Sequence, residues 1–345
     1  MIDIIRFLRE YNGPSMRLME VCGTHTAEIS HSGIPRMLSK QIKLISGPGC
    51  PVCVTVTDYI DKLVELSKTP DTVVASFGDL LRVPGSRESL SDAKGDGARV
   101  HMLYSPMDLL TLAKEHPETR YVFASVGFET TAPAYALLIS QALEQGIDNL
   151  QVLTSLKTMP PVIDWVCKNA GNIDGFLAPG HVSVVTGSKI FENLSEKYKI
   201  PFVVAGFEPQ QLMDAIYALV KRRGKAGVFN LYPSVVTREG NLQAQQLVQK
   251  YFEPCDAAWR GMGTLPDSGL VLRKEYARFD AGSRGLNQDH ESNPNCRCAE
   301  VLMGKISPHG CPLFGRACTP QSPQGACMVS AEGSCFQYLT NHRED

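Results

Sequence analysis

YVFASVGFETTAPAYALLISQALEQGIDNLQVLTS, residues 121–155, decides the fold class. A β-branched and aromatic run (YVFASV, 121–126) leads through a turn into an apolar stretch of helical length, Ala132–Gln145. A second apolar run, LQVLTS (150–155), follows. Strand, helix and strand in this order form the unit of a parallel sheet, because parallel neighbours need a crossover of about a dozen residues or more. The alternation continues on both sides. Strands are predicted at IKLIS (42–46), TVVASF (72–77), GFLAP (175–179) and FVVAG (202–206). Helices are predicted at Thr57–Ser67, Pro106–Glu115, Pro161–Lys168, Lys189–Lys197 and Gln210–Lys221. The fold class is therefore α/β with parallel sheets.

Three pairs of segments recur in the same order. VCGTHTAE (21–28) matches VGFETTAP (126–133), SGPGCPVCVT (46–55) matches LAPGHVSVVT (177–186), and VVASFGDLLRV (73–83) matches VVAGFEPQQLM (203–213). Pro48 and Pro179 are 131 positions apart, and Val73 and Val203 are 130 apart. This internal repeat predicts two similar α/β domains, 1–118 and 119–235, whose matching loops face each other across a cleft. After about residue 235 the texture changes. TREGNLQAQQLVQKYFEP reads as a helix ending at Pro254, and Gly- and Pro-rich loops with clustered cysteines follow. Region 236–345 is expected to be loop-rich and partly helical, with a bound cofactor substituting for a large core.

A net charge of −2 gives no electrostatic reason to expect nucleic acid or an anionic membrane as partner. The N-terminal MIDIIRFLREYNG is interrupted by charges, unlike a signal peptide, and no run approaches the ~20 apolar residues of a membrane span. A cytoplasmic protein is expected. In that compartment thiols are kept reduced, so clustered cysteines favour metal or redox work over structural disulfides.

Six of the eleven cysteines, Cys296, Cys298, Cys311, Cys318, Cys327 and Cys335, lie within 40 residues. Four thiolates hold a 4Fe–4S cluster or a zinc ion, and spacing alone leaves the choice among six open. The uneven spacing fits a cluster better than the paired knuckles of a zinc ribbon. Three more cysteines sit upstream. Cys50 and Cys53 form a C-x-x-C pair in GPGCPVC (47–53), between a strand and a helix start. There, backbone N–H groups and the helix dipole favour thiolates, hence a dithiol/disulfide pair; half a zinc site is the alternative. Cys22 enters a turn in MEVCGTHTAEI (19–29), with His25 three residues on as a group able to promote the thiolate or orient a ligand. Glu129 in GFETTAPA and His181 in APGHVSVVTG occupy comparable turns and are expected to face these loops if the repeat holds. A phosphate-loop motif G-x-x-x-x-G-K-[ST] and an H-E-x-x-H motif are both missing.

Taken together, MEVCGTHTAEI, SGPGCPVCVT, VGFETTAPA, APGHVSVVTG and the tail CPLFGRACTP…GACMVSAEGSC resemble the HypD family of hydrogenase maturation factors, over most of the chain. The resemblance implies a role in building the Fe(CN)2CO unit of nickel–iron hydrogenases. It implies a HypC-like small partner and a HypE-like cyanide donor, and a 4Fe–4S cluster behind two related α/β domains. Carried over by position, Cys22 would hold the iron being decorated and Cys50/Cys53 would be a redox pair beside it. His25, Glu129 and His181 would line the cleft. The family spacing selects Cys298, Cys311, Cys318 and Cys335 as cluster ligands, leaving Cys296 and Cys327 outside. This describes an assembly scaffold with redox activity rather than a conventional turnover enzyme. An iron–sulfur thiol-disulfide reductase is the main alternative, and a zinc-stapled interaction module the third.

Overall fold

The computed structural model describes residues 3–290 and 293–341. Strands β1 (Met16–Glu20), β2 (Ile42–Ser46), β3 (Thr72–Ser76), β4 (Val100–Met102), β5 (Arg120–Gly127) and β6 (Leu150–Lys157) are followed by β7 (Gly175–Pro179), β8 (Pro201–Ala205) and β9 (Gly227–Asn230). Strands β10 (Phe252–Trp259) and β11 (Gly263–Leu272) form an antiparallel hairpin. The first sheet has the order β2-β1-β7-β8-β9 and is parallel throughout. The second has the order β10-β11-β6-β5-β3-β4, parallel except where β11 joins β10 and β6.

Each predicted strand and helix is present to within a few residues. Their burial explains why. Val122, Phe123, Val152, Leu153, Phe176, Leu177, Phe202 and Val203 are all fully buried, as expected where helices cover both faces of a parallel sheet. Each such side chain contributes about 2 kcal/mol relative to exposure.

Both sheets share one winding order. Counted along the chain, the strands of each run second, first, third, fourth: β2-β1-β7-β8 and β4-β3-β5-β6. Two similar α/β layers are thus present, but not as contiguous domains. A boundary at 118/119 falls between β4 and β5, inside the second sheet, while the first sheet takes strands from both sides of it. Long crossovers let a strand join whichever sheet buries it, so chain proximity does not fix membership. The segment pairs do not mark equivalent strands either. GPGCPVC follows β2 and APGHVSV follows β7, yet β2 and β7 flank β1 in the same sheet. Those likenesses belong to strand–turn–helix units in general.

The segment after residue 251 also differs from expectation. Pro254 does not end the helix, which spans Leu242–Tyr251; it lies inside β10, opposite Leu270. Proline is tolerated there because β10 is an edge strand and needs no outward N–H bond. Beyond the hairpin, 3-10 turns and two short helices, Cys298–Leu302 and Ser334–Asn341, connect loops, as expected of this region.

One apolar core joins the two sheets to this C-terminal region. Met19, Phe128, Met159, Phe176, Val182 and Trp259 pack in it with Cys50, Cys53, Cys298, Cys318, Cys327 and Cys335. No helix among the described residues is long and apolar enough to cross a membrane.

Candidate metal and redox site

In a doubly wound sheet, ligands gather outside the carboxyl ends of the strands where the winding reverses. In the first sheet that point lies between β1 and β7. Cys22 follows β1 there and caps the helix Gly23–His31, its carbonyl accepting the N–H of Thr26 at 3.0 Å. Burial pushes the Cys22 thiol up to about 12, although the N–H groups of His25 and Thr24 favour its thiolate; the carboxylates of Glu20 and Glu332 oppose it. A soft metal ion taking the place of that proton would remove the penalty.

Glu20, at the end of β1, anchors the turn. Its carboxylate accepts the Cys22 N–H at 2.9 Å and the Thr26 hydroxyl. Burial raises its carboxyl to about 7, against the hydrogen bonds from Thr26, Cys22 and Ser46. From the far end of the chain, Glu332 accepts the Thr24 hydroxyl at 3.0 Å and covers Gly23, where a Cβ would lie 2.5 Å from the Glu332 Cβ.

The second cysteine station is packed directly on the first. Gly49 O accepts the Gly23 N–H at 2.9 Å. A Cβ on Gly49 would overlap the Cys22 backbone and stand 2.5 Å from the Val21 carbonyl carbon. That close approach is why glycine precedes Cys50. Cys50 and Cys53 are joined by a disulfide, with Cα atoms 5.2 Å apart, and both are buried. On its inner side Cys53 Sγ lies 4.0 Å from the carbonyl of Ala326, the residue before Cys327.

All six C-terminal cysteines line one void, closed by Phe314, Gly325 and Met328. At Gly325 a Cβ would be 2.9 Å from Cys296 Sγ, so the void is a cradle that a side chain there would invade. Cys298 hydrogen-bonds both Cys296 and Cys327, and Cys327 bonds Cys335. Bonds to neighbouring thiols, with burial, hold Cys298 and Cys327 above the ordinary thiol range, and burial does the same for Cys335. As they stand, no three of these groups among the described residues converge on a single ion-sized point. Six thiols around one void supply the four thiolates that either a 4Fe–4S cluster or a zinc ion takes.

His25 and His181 come together, but not as expected. Both meet the Phe207 ring: His181 stacks on it with centroids 3.9 Å apart, and His25 lies tilted against it at 4.9 Å. His25 is fully buried, and its Nε2 bonds Gly206 O at 3.0 Å, while Nδ1 has no partner. Burial lowers it to about 4, so it is a neutral ring turned toward the β8 loop and cannot act on Cys22 as a cation. His181 is exposed on the surface of the same stack. Glu129 stands apart, in the second sheet after β5. One oxygen accepts the Met159 N–H at 2.8 Å, the other has no partner, and burial raises the carboxyl to about 7.

Three contributors escaped the sequence reading. Glu20 was legible as a charge inside the apolar run LMEV. Arg260 gave no local signal: its buried guanidinium donates to Thr55 O at 2.7 Å, its N–H donates to Val54 O at 2.9 Å, and its charge favours the Cys298 thiolate. Nor did Glu332, whose role depends on a contact 308 residues away.

A doubly wound fold with a buried thiol at the switch point, a disulfide against it and a thiol-lined void behind defines a cysteine-centred α/β protein. The sequence model of the HypD family, described as "Hydrogenase formation hypA family", matches residues 2–342. The hydrogenase maturation factor HypD of Escherichia coli (strain K12) is 42% identical over 340 residues, covering 95% of this chain and 91% of that one. HypD of Azotobacter vinelandii is 42% identical, covering 95% and 90%, and HypD of Cupriavidus necator is 41% identical over 344 residues, covering 96% and 91%. The chain belongs to the HypD family of hydrogenase maturation factors.

Proposed function

We propose that the chain is a cytoplasmic scaffold and redox factor on which the Fe(CN)2CO unit is built, together with a HypC-like small partner and a HypE-like cyanide donor. The iron is cargo, held through Cys22. Cyanide and CO bind low-valent iron, and a soft thiolate suits that ion. One observation carries the reading: the disulfide loop packs on the Cys22 backbone through Gly49, and Cys53 Sγ lies 4.0 Å from the carbonyl of Ala326, next to Cys327 and the thiol-lined void. Opening the Cys50–Cys53 disulfide takes up two electrons and two protons, and closing it returns them. Bound in the void, a 4Fe–4S cluster supplies one-electron transfer. Cys298, Cys311, Cys318 and Cys335 are the proposed ligands. Cys298 is the member with rivals, because it bonds Cys296 and Cys327. His25 and His181 form the wall beside Cys22, and Glu129 belongs to the facing layer.

The second reading, a free-standing disulfide reductase, draws on the same disulfide-to-void contact. One comparison separates the two. Anaerobic protein is assayed for iron, sulfide and turnover of protein disulfides in Cys22→Ala, Cys50→Ser and the six C-terminal Cys→Ser variants. The scaffold reading expects no partner-free turnover, a cluster retained in Cys22→Ala, and cluster loss in four of the six. Turnover abolished by Cys50→Ser and untouched by Cys22→Ala would establish the reductase instead.

A further inference from the structure

The tip of the β10–β11 hairpin, Arg260–Met262, is wedged between the disulfide loop and the C-terminal cysteines. On one side the Arg260 N–H donates to Val54 O at 2.9 Å, and its Nε donates to Thr55 O at 2.7 Å. Those carbonyls belong to the two residues after Cys53, where the loop runs on toward the helix Thr57–Ser67. On the other side Gly261 lies against the short helix Cys298–Leu302, and a Cβ on it would stand 2.1 Å from the Ala299 Cβ. Gly261 also holds φ at +73°, a conformation that favours glycine. One turn therefore touches the residues after Cys53 and the residue after Cys298.

The charge at this tip is under-compensated. Arg260 is 3% exposed, and its Nη2 is buried with no hydrogen-bond partner. Asp289 comes to 3.9 Å from Nε, beyond hydrogen-bond reach; its oxygens accept the N–H groups of Thr57 at 3.2 Å and Gly261 at 3.1 Å instead. A buried cation and an orphaned donor are both costly unless something answers them. The thiol-lined void is where an answer can come from. Four thiolates carry more negative charge than a zinc ion or a cluster core carries positive, so a loaded void is a buried anion. The field of Arg260 extends that far, since its charge favours the Cys298 thiolate. Its bonds to the loop fix where the charge stands.

We propose that Arg260 is a positioning residue that ties the disulfide loop to the void and serves as the counter-charge of the metal–thiolate group held there. This rests on the metal reading above, for a cluster or for zinc. A nearby positive charge favours the more negative, reduced state of a redox centre and opposes loss of metal from an anionic site. The test uses the full chain purified anaerobically, beside Arg260→Gln, which keeps an amide donor and loses the charge, and Arg260→Lys, which keeps the charge. Both lose the guanidinium fork, so a merely structural role would move both alike. Where iron and sulfide are bound, redox titration followed in the visible spectrum should lower the Arg260→Gln midpoint by about 59 mV, a tenfold change for one electron, with Arg260→Lys near the parent. Where zinc is bound, its release to a chelator should be about tenfold faster in Arg260→Gln and near parental in Arg260→Lys. Loaded protein in which Arg260→Gln matches the parent, or in which both variants are displaced alike, would overturn the role of Arg260 and leave the metal reading standing. A parent that holds neither metal would overturn that reading and this inference with it.

Discussion

Glu129 shows how a single buried group links stability to pH. Its carboxyl rises from 4.5 to about 7 on folding because burial disfavours the charge. Between those values the folded chain binds a proton that the unfolded chain has released. Stability therefore falls as pH climbs from about 4.5 through 7 and stays lower above. Glu129→Gln keeps an oxygen for the Met159 N–H and loses the charge. It should exceed the parent by on the order of 3 kcal/mol at pH 8, with the gain shrinking toward zero near pH 4.5. Urea unfolding of both proteins across that range checks this, and a pH-independent difference would refute it. His25 acts with the opposite sign: lowered from 6.5 to about 4, it withdraws stability as pH falls through that window. At Gly49 the effect is steric. Gly49→Ala forces its Cβ into the Val21–Cys22 backbone and should cost about 1–3 kcal/mol, measurable by thermal unfolding, with faster reduction of the Cys50–Cys53 disulfide by dithiothreitol. An unchanged reduction rate would mean that the loop does not depend on this contact.

Among the elements, the β10–β11 hairpin carries more than its sequence suggests. Its Trp259 is fully buried, stacks on Phe128 with centroids 6.0 Å apart, and donates its indole N–H to Ser268 at 2.9 Å. Trp259→Ala should cost about 3–5 kcal/mol, read from the urea midpoint at unchanged slope. A loss under 1 kcal/mol, on the order of a surface substitution, would show that the hairpin is not tied to the core. This element was illegible because Glu253, Pro254, Cys255 and Asp256 break any alternation in an edge strand. The central strands were legible for the opposite reason: YVFASV and GFLAP are continuous apolar runs that only two covered faces explain. Turns after strands were equally readable, so Cys22, Cys50, Cys53, Glu129 and His181 were singled out by residue type and position. Their partners were not, since the contacts of Glu20 with Ser46, Thr24 with Glu332 and Val54 with Arg260 are made by folding alone.

For the whole molecule, two interleaved sheets bring the residue 22 and 50–53 loops against a region more than 200 positions further on. Sheet membership could not be read from chain order, because crossovers join strands by burial. The cysteines, by contrast, stood out before any fold was known, and folding gathers them into one disulfide and one thiol-lined void. Removing the proposed C-terminal cluster should loosen the core that holds Cys53 with Cys298, Cys318, Cys327 and Cys335. Chelation under anaerobic conditions is expected to lower the thermal midpoint by several degrees, and an unchanged midpoint would show that the void holds no stabilising group. The most direct test of the central claim is infrared spectroscopy of the protein purified anaerobically with the proposed HypC-like partner, compared with Cys22→Ala. The account predicts CO and CN bands in the parent and their loss in the variant, with cluster iron and sulfide unchanged. Bands that persist at full intensity in Cys22→Ala would contradict it.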